Sequence, residues 1–263
     1  MEPHRTVPTG GLRTDEDAYY DAFTLFLSHS DEKALTHAYF DDVVRHLPAR
    51  RVFLDVGAGD GVTSRYVGRS FRRTVCVEPS ATMRRAIARA CPDAEVVAEP
   101  VARARPGVLA DLALLSHVLY YVPRAEWAAT VRRVLGWVAP GGTLLVLMQD
   151  PDNPSMRMVR HFTGARFGLA DLADELTAAD GAGDLGDLRL ESVPALYRSA
   201  DLEETVTVAG FLLSVPAHHR PDHGTEPTRD AVREYARRYF ADGDGTYRID
   251  HRQDVLRIRR AAT

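Results

Sequence analysis

Residues 53–61 read FLDVGAGDG, an apolar run that closes on Asp55 and is followed by Gly57, Gly59 and Gly61. Glycine behind a buried strand costs conformational entropy, so three at alternate positions need a reason. A tight turn is one. The other is a backbone that must let a ligand come closer than a Cβ permits, at the point where a helix begins and its first N–H groups lack intrahelical partners. A second acid bears on the choice. Glu78 ends the next apolar run, TVCVE, roughly 20 residues on, the distance at which a carboxylate accepts both hydroxyls of an unphosphorylated ribose. The dinucleotide fingerprint would put its third glycine at Val62; here it falls at Gly61. Asp55-x-Gly57-x-Gly59-x-Gly61 together with Glu78 is far more specific than either half, and it points to a nucleoside ligand.

The elements around this loop alternate. RVFLDV, TVCVE, EVVA, DLALLS and TLLVLM are short apolar runs, the last behind the turn Pro140-Gly141-Gly142. Between them VTSRYVGRSF, SATMRRAIARAC and RAEWAATVRRVLGWV read as helices. Near-continuous apolar strands alternating with helices predict a doubly wound α/β fold with a parallel sheet covered on both faces. Its ligand belongs outside the carboxyl ends of the strands. Upstream, AYYDAFTLFLSHS carries Tyr20, Phe23 and Leu27 at helical spacing, with Phe26 alongside, and Ser30 looks like the N-cap of a second helix reaching about His46. Beyond Met148 the alternation weakens. PSMRMVRHF and LADLADELTAA read as helices of a cap, DGAGDLGDL as a loop, LRLESVPALYR as a strand, LEETVTVAGFLL and TRDAVREYARRYF as helices, and YRIDHRQDVLRIRR as an extended tail. No composition break divides the chain. The reading is therefore a tail over 1–14 and one domain over 15–263, with a helical lid at 15–47, a core at 50–148, a cap at 151–187 and C-terminal strands and helices at 188–263.

The 263 residues are 45% hydrophobic and 27% charged, with a net charge of −4. That is a globular composition without the basic footprint of a nucleic-acid binder. Arginines are scattered among acids, and Lys33 is the sole lysine. Cys76 and Cys91 form no redox or metal motif, which suits a reducing compartment and a cytoplasmic protein. No run approaches the ~20 apolar residues of a membrane span, and MEPHRTVPTGGLRTDED lacks the apolar core of a signal peptide.

FLDVGAGDGVTSRYV, VCVEPS, DLALLSHVLYYV and VLGWVAPGGTLLVL, spanning about residues 50–148, resemble the successive motifs of class I S-adenosylmethionine-dependent methyltransferases. The resemblance implies a Rossmann-like seven-stranded sheet whose last strand is antiparallel, with the tail TYRIDHRQDVLRIRR in that slot. It also implies S-adenosylmethionine as cofactor and S-adenosylhomocysteine as product. A narrower likeness, carried by YYDAFTLFLSHSDE, VEPSA and HVLYYV, is to the histamine N-methyltransferase family. By it, Gly57, Glu78 and the backbone of Ser116 match cofactor positions, and Pro79, next to Glu78, is expected beside the cofactor; Glu32 matches an acid that holds the amine substrate. Tyr19, Phe23, His117, Tyr120 and Tyr121 match the substrate pocket. The chain departs from that pattern at Met83 and His117, where the family has glutamines, at His251, where it has an asparagine, and across 155–180, which holds no tryptophan.

Methyl transfer needs an acceptor about 3–3.5 Å from the sulfonium-bound carbon, in line with the sulfur and away from water. It requires no metal. The cofactor's cation favours aromatic neighbours, for which Tyr19, Tyr20, Phe23, Tyr120 and Tyr121 are candidates, or else core residues. Glu99, after the third strand, either faces the adenine edge or is a solvated acid. Glu32 either anchors a substrate ammonium or simply favours a helix N-terminus. His117 either meets the acceptor's proton or closes the fourth strand. Asp242 to Gly245 lack the ligand series of a calcium loop, and His218, His219 and His223 have no helix to orient them on a metal. The expected activity is N-methylation of an amine or imidazole nitrogen in a small molecule by a monomeric enzyme. O-methylation of a carboxylate or hydroxyl in a natural-product or peptide intermediate is the alternative. A nicotinamide oxidoreductase is disfavoured by the glycine spacing and the lack of a Tyr-x-x-x-Lys pair; a non-catalytic cofactor binder stays open.

Overall fold

A computed structural model of the chain describes residues 17–180, 183, 185–214 and 227–262. Their contacts separate into two compact units rather than the one domain expected from composition. The first comprises residues 17–32, 151–167, 194–214 and 227–252, and the second 33–150, 168–180, 183, 185–193 and 253–262.

The second unit is the α/β layer. Its strands are β1 (Val52–Val56), β2 (Arg73–Val77), β3 (Glu95–Val97), β4 (Ala110–Ser116), β5 (Val138–Gln149), β6 (Leu185–Val193) and β9 (Gln253–Arg260). They form one seven-stranded sheet in the order β3-β2-β1-β4-β5-β9-β6, parallel except for β9, which runs against both neighbours. Two runs differ from the sequence reading. Pro140-Gly141-Gly142 does not precede the fifth strand but lies within it, where the register against β4 shifts between Ala110 and Leu112. DGAGDLGDL is not all loop, because β6 already begins at Leu185.

Around the sheet stand α2 (Glu32–Arg45), α3 (Val62–Gly68), α4 (Ala81–Ala90), α5 (Trp127–Leu135) and α7 (Leu169–Ala178). From α2, Phe40, Val43 and Val44, with Leu47 just past its end, enter one apolar core with Phe53, Leu112, Leu114, Leu145, Leu147 and Val255. Burial of this stripe is what fastens the helix, at about 25 cal/mol per Å² of apolar surface. The chain passes from Arg45 to Val52 through a short link, so α2 runs opposite to β1 and carries its N-terminal end to the strands' carboxyl ends. α7, expected as half of a cap, instead packs on α5, β6 and β9 within this unit, burying Leu169, Leu172 and Leu176.

The first unit holds α1 (Asp17–Ser28), α6 (Pro154–Thr163), α8 (Leu202–Ser214), α9 (Arg229–Tyr239) and a two-stranded sheet of β7 (Leu196–Ser199) with β8 (Tyr247–Asp250). LRLESVPALYR is thus two strands in two sheets. Pro194, lacking an N–H for a ladder, stands between them. The C-terminal tail divides likewise at His251-Arg252, and only β9 takes the antiparallel slot. α6 is built as its sequence suggests, with Asn153 accepting the Met156 N–H at its start, Pro154 at the first position and Gly164, at φ 71°, after its end.

Candidate active site

In the α/β unit the turn after β1 stays fastened to β2, with Gly57 N–H donating to Val77 O at 2.7 Å. Gly57, Gly59 and Gly61 have φ of 76°, 57° and 79°, a region that L side chains rarely enter. The three glycines meet different surroundings. A Cβ on Gly57 would lie 2.3 Å from Val118 Cγ2, a clash, and one on Gly61 3.0 Å from Ile87 Cα, a tight contact with backbone. A Cβ on Gly59 would meet nothing within 4 Å. Gly59 is the glycine that faces open space.

Glu78 reaches across to this turn. It is only 6% exposed; Oε2 accepts the Gly59 N–H at 3.0 Å and Oε1 the Ser80 N–H at 2.8 Å. Burial raises its pKa above the usual carboxylate range, and the two N–H donors oppose that rise. An ionised carboxylate has about four lone-pair sites, so room for two further donors remains. Asp55, at the end of β1, is turned inward: Ser64 Oγ in α3 donates to Oδ2 at 2.6 Å. Burial lifts its pKa to about 6, against the pull of Ser64 and Lys33. It braces the helix behind the turn rather than facing ligand space, a correction to its expected place among the cofactor contacts. A third buried acid, Asp111, accepts from the Arg51 and Val52 amides and the Arg51 guanidinium at the amino end of β4, away from this turn.

Ser116 ends β4, and His117 follows with φ 58°, alone among the described non-glycine residues in the left-handed region. Its N–H donates to Leu147 O at 2.9 Å, and its ring lies parallel to that of Tyr120 with centroids 5.9 Å apart. Left-handed backbone is uncommon in a non-glycine residue, and here it stands at a strand's carboxyl end. Tyr120 is buried, and its hydroxyl accepts the Gln149 N–H at 2.8 Å, so of the tyrosine pair it is the core member; Tyr121 is half-buried. Met83 is buried in the first turn of α4, where its amide donates to the Ser80 cap. Pro79 is exposed. Glu99 is an exposed acid 3.7 Å from Arg103, with no tie to the turn.

Lys33, the sole lysine, reaches the helix that follows this turn. Its Nζ donates to Thr63 Oγ1 at 3.0 Å in the first turn of α3. The signal was available in its being the sole lysine, beside the SHSDE motif.

In the helical unit the structure gathers Glu32, His251, Phe23 and Tyr19. Glu32, 7% exposed, has Oε2 3.3 Å from His251 Nδ1, and His251 Nε2 lies 2.9 Å from Ser30 Oγ. Ser30 Oγ also accepts the Glu32 N–H at 3.0 Å, as its place before α2 predicts. The fully buried His251 ring meets Phe26 edge-on at 4.9 Å, and Phe26, Phe23 and Tyr19 all pack on Phe211 at 5.8, 5.9 and 5.2 Å. Phe211 and Ser30 were not foreseen as site neighbours, since their partners are remote in sequence. A buried carboxylate in the same unit as these rings is chemically suited to an organic cation. Among the described residues no cluster of histidine, cysteine or acids could hold a metal. Asp242 to Gly245 form a turn ahead of β8, and His218, His219 and His223 lie outside the described residues. No helix among the described residues is long and apolar enough to cross a membrane.

A family model described as a methyltransferase domain matches residues 28–212. No curated protein matches the chain. Among solved structures, it is similar to the N-methyltransferase NodS of Bradyrhizobium japonicum WM9 in complex with S-adenosyl-L-homocysteine, at 15% identity and a TM-score of 0.53 over 93% of this chain and 99% of that one. It is also similar to the YcgJ protein of Bacillus subtilis, at 13% identity and a TM-score of 0.56 over 86% of this chain and 100% of that one.

Proposed function

The chain belongs to the class I S-adenosylmethionine-dependent methyltransferases, and from that premise we propose that it N-methylates a small-molecule amine or imidazole whose ammonium group is held at Glu32. S-adenosylmethionine, when bound, supplies a methyl group already activated on a sulfonium, so the protein's task is alignment and dryness. The open face of Gly59 and the spare lone pairs of Glu78 fit a ribose, and Gly57 and Gly61 keep the turn in place for it. Ser116 and Met83 stand at the ends of the elements flanking that turn and would border the adenosyl group.

The observation that carries the choice of an amine is the nearly buried Glu32 carboxylate in a unit with the aromatic group of Tyr19, Phe23, Phe26 and Phe211. A buried carboxylate rewards a cation beside it and penalises a second carboxylate. An ammonium must lose a proton before its nitrogen has an electron pair to donate. Glu32 would take that proton, and the His251 Nδ1 at 3.3 Å from its carboxylate, with Ser30 beyond, supports that reading. Loss of that N–H proton leaves an electron pair on nitrogen; this pair would form the new N–C bond as the methyl–sulfur bond breaks, its electrons passing to sulfur to leave S-adenosylhomocysteine.

Methylation assays on a panel of amines, carboxylic acids and phenols, repeated with Glu32→Gln, test this. Methyl transfer to amine nitrogen, with KM for the amine raised at least about tenfold in Glu32→Gln and affinity for S-adenosylhomocysteine unchanged, supports it. An unchanged KM removes Glu32 from the site. Methylation of acids or phenols alone replaces the reading with O-methylation.

A further inference from the structure

We propose that Lys33 holds the carboxylate at the amino-acid end of the cofactor. The proposal rests on placing the ribose at the Gly59–Glu78 turn. Three observations within the α/β unit support it. First, α2 points its N-terminal end at the carboxyl ends of the strands, and the 3.0 Å bond from Lys33 Nζ to Thr63 Oγ1 sets the ammonium just past Gly61. Second, the partner of that ammonium is a neutral hydroxyl, and the acids around it are otherwise engaged. Asp55 accepts from Ser64, and Asp60 Oδ1 accepts the Val62 N–H at 3.1 Å. Third, Lys33 and Thr63 are both half-buried, so the ammonium is reachable by a ligand while partly withdrawn from water.

The cofactor carries its two recognition groups at opposite ends. Its ribose offers hydroxyl donors, which suit an acceptor such as Glu78; its amino acid offers a carboxylate, which an acid would repel. A compact ammonium on a flexible stem is the group that meets a carboxylate as a point charge. Thr63 Oγ1, holding Lys33 in place, becomes a second donor for the same group. His37 does not compete as a cation at neutral pH: burial, then the charge of Lys33, lowers its pKa to about 4.

Calorimetric titration of the full chain tests this with two probes, S-adenosylhomocysteine and its decarboxylated analogue 5′-deoxy-5′-(3-aminopropylthio)adenosine. The wild type should prefer the carboxylate-bearing probe by about 10- to 100-fold, the range of a charge-assisted hydrogen bond. Lys33→Met should cut that preference to about threefold or less and leave Kd for the decarboxylated probe unchanged, while Lys33→Arg keeps most of it. A Lys33→Met protein that retains the wild-type preference, or that weakens both probes equally, overturns the proposal; the second result means that Lys33 only screens Asp55. Glu78→Ala, run alongside, tests the turn separately, because loss of a ribose acceptor weakens both probes by the same factor. If Glu78→Ala changes neither, the ribose placement fails whatever Lys33 does.

Discussion

Glu78 Oε2 accepts the Gly59 amide proton at 3.0 Å, which locks the residue after β2 to the open glycine of the turn after β1. The bond shapes the turn, and on the proposed function the remaining lone pairs of the carboxylate accept ribose hydroxyls. Replacing Glu78 by alanine removes both, and titration should show affinity for S-adenosylhomocysteine lowered by about 10- to 100-fold. Glu78→Gln keeps one carbonyl acceptor and should lose less. Equal affinities in all three proteins would detach the acid from the ligand.

The glycines of the turn should separate by experiment. Gly57→Ala combines a positive φ with a Cβ 2.3 Å from Val118 Cγ2, and should cost about 2–4 kcal/mol in urea unfolding. Gly59→Ala carries only the φ cost, about 1–2 kcal/mol, because its Cβ enters empty space. That space is where a ligand would stand, so Gly59→Ala should lose at least about tenfold in S-adenosylhomocysteine affinity while remaining folded. Undiminished binding by this variant would mean that the space is not the cofactor's.

How much of this was legible beforehand follows from the range of the interactions. The run from FLDVGAGDG to TLLVLM could be read as a doubly wound sheet because its central strands β1, β4 and β5 are buried on both faces and each helix follows locally. The C-terminal third could not. β7 and β8 are short, their pairing is with each other, and the breaks at Pro194 and His251 divide runs that look continuous in the sequence. α7 reads like any amphipathic helix, and nothing local says that it covers β6 and β9 rather than forming a cap. Glu32 and His251 carried separate sequence signals, but their 3.3 Å approach joins opposite ends of the chain. Lys33 had no spacing to announce it; only the fold brings it to Thr63.

Ser30 bears on both stability and the position of Glu32. Its hydroxyl accepts the Glu32 N–H as an N-cap and pairs with His251 Nε2. Ser30→Ala should lower stability by about 1–2 kcal/mol, the cost of a lost cap and of a buried histidine nitrogen deprived of its partner. Ser30→Thr, which retains the hydroxyl, should recover most of it. Unfolding in urea, compared across the three proteins, is the measurement, and a Ser30→Ala protein as stable as wild type would show the hydroxyl to be idle.

Asp55 predicts a pH dependence whose sign is set by its burial. Burial raises its folded-state pKa from 3.8 to about 6. Between those values the unfolded chain has released the proton while the folded chain keeps it, so the folded state binds more protons and stability falls as pH rises. Above pH 6 both states are ionised and the whole cost is present; the interval from 3.8 to about 6 corresponds to about 3 kcal/mol. Asp55→Asn removes the titration and keeps a carbonyl that can accept from Ser64 Oγ. Its amide protons carry a pH-independent cost of their own, so the change with pH is what counts. In cofactor-free protein, stability of Asp55→Asn relative to wild type should rise by up to about 3 kcal/mol from pH 4 to pH 7. Glu78, also raised by burial, contributes a slope of the same sign to both proteins and drops out of the difference. A difference that stays flat across that window would mean that Asp55 ionises as freely in the folded chain as in the unfolded one, and the carboxylate behind the turn would then have to be solvated rather than sealed against Ser64.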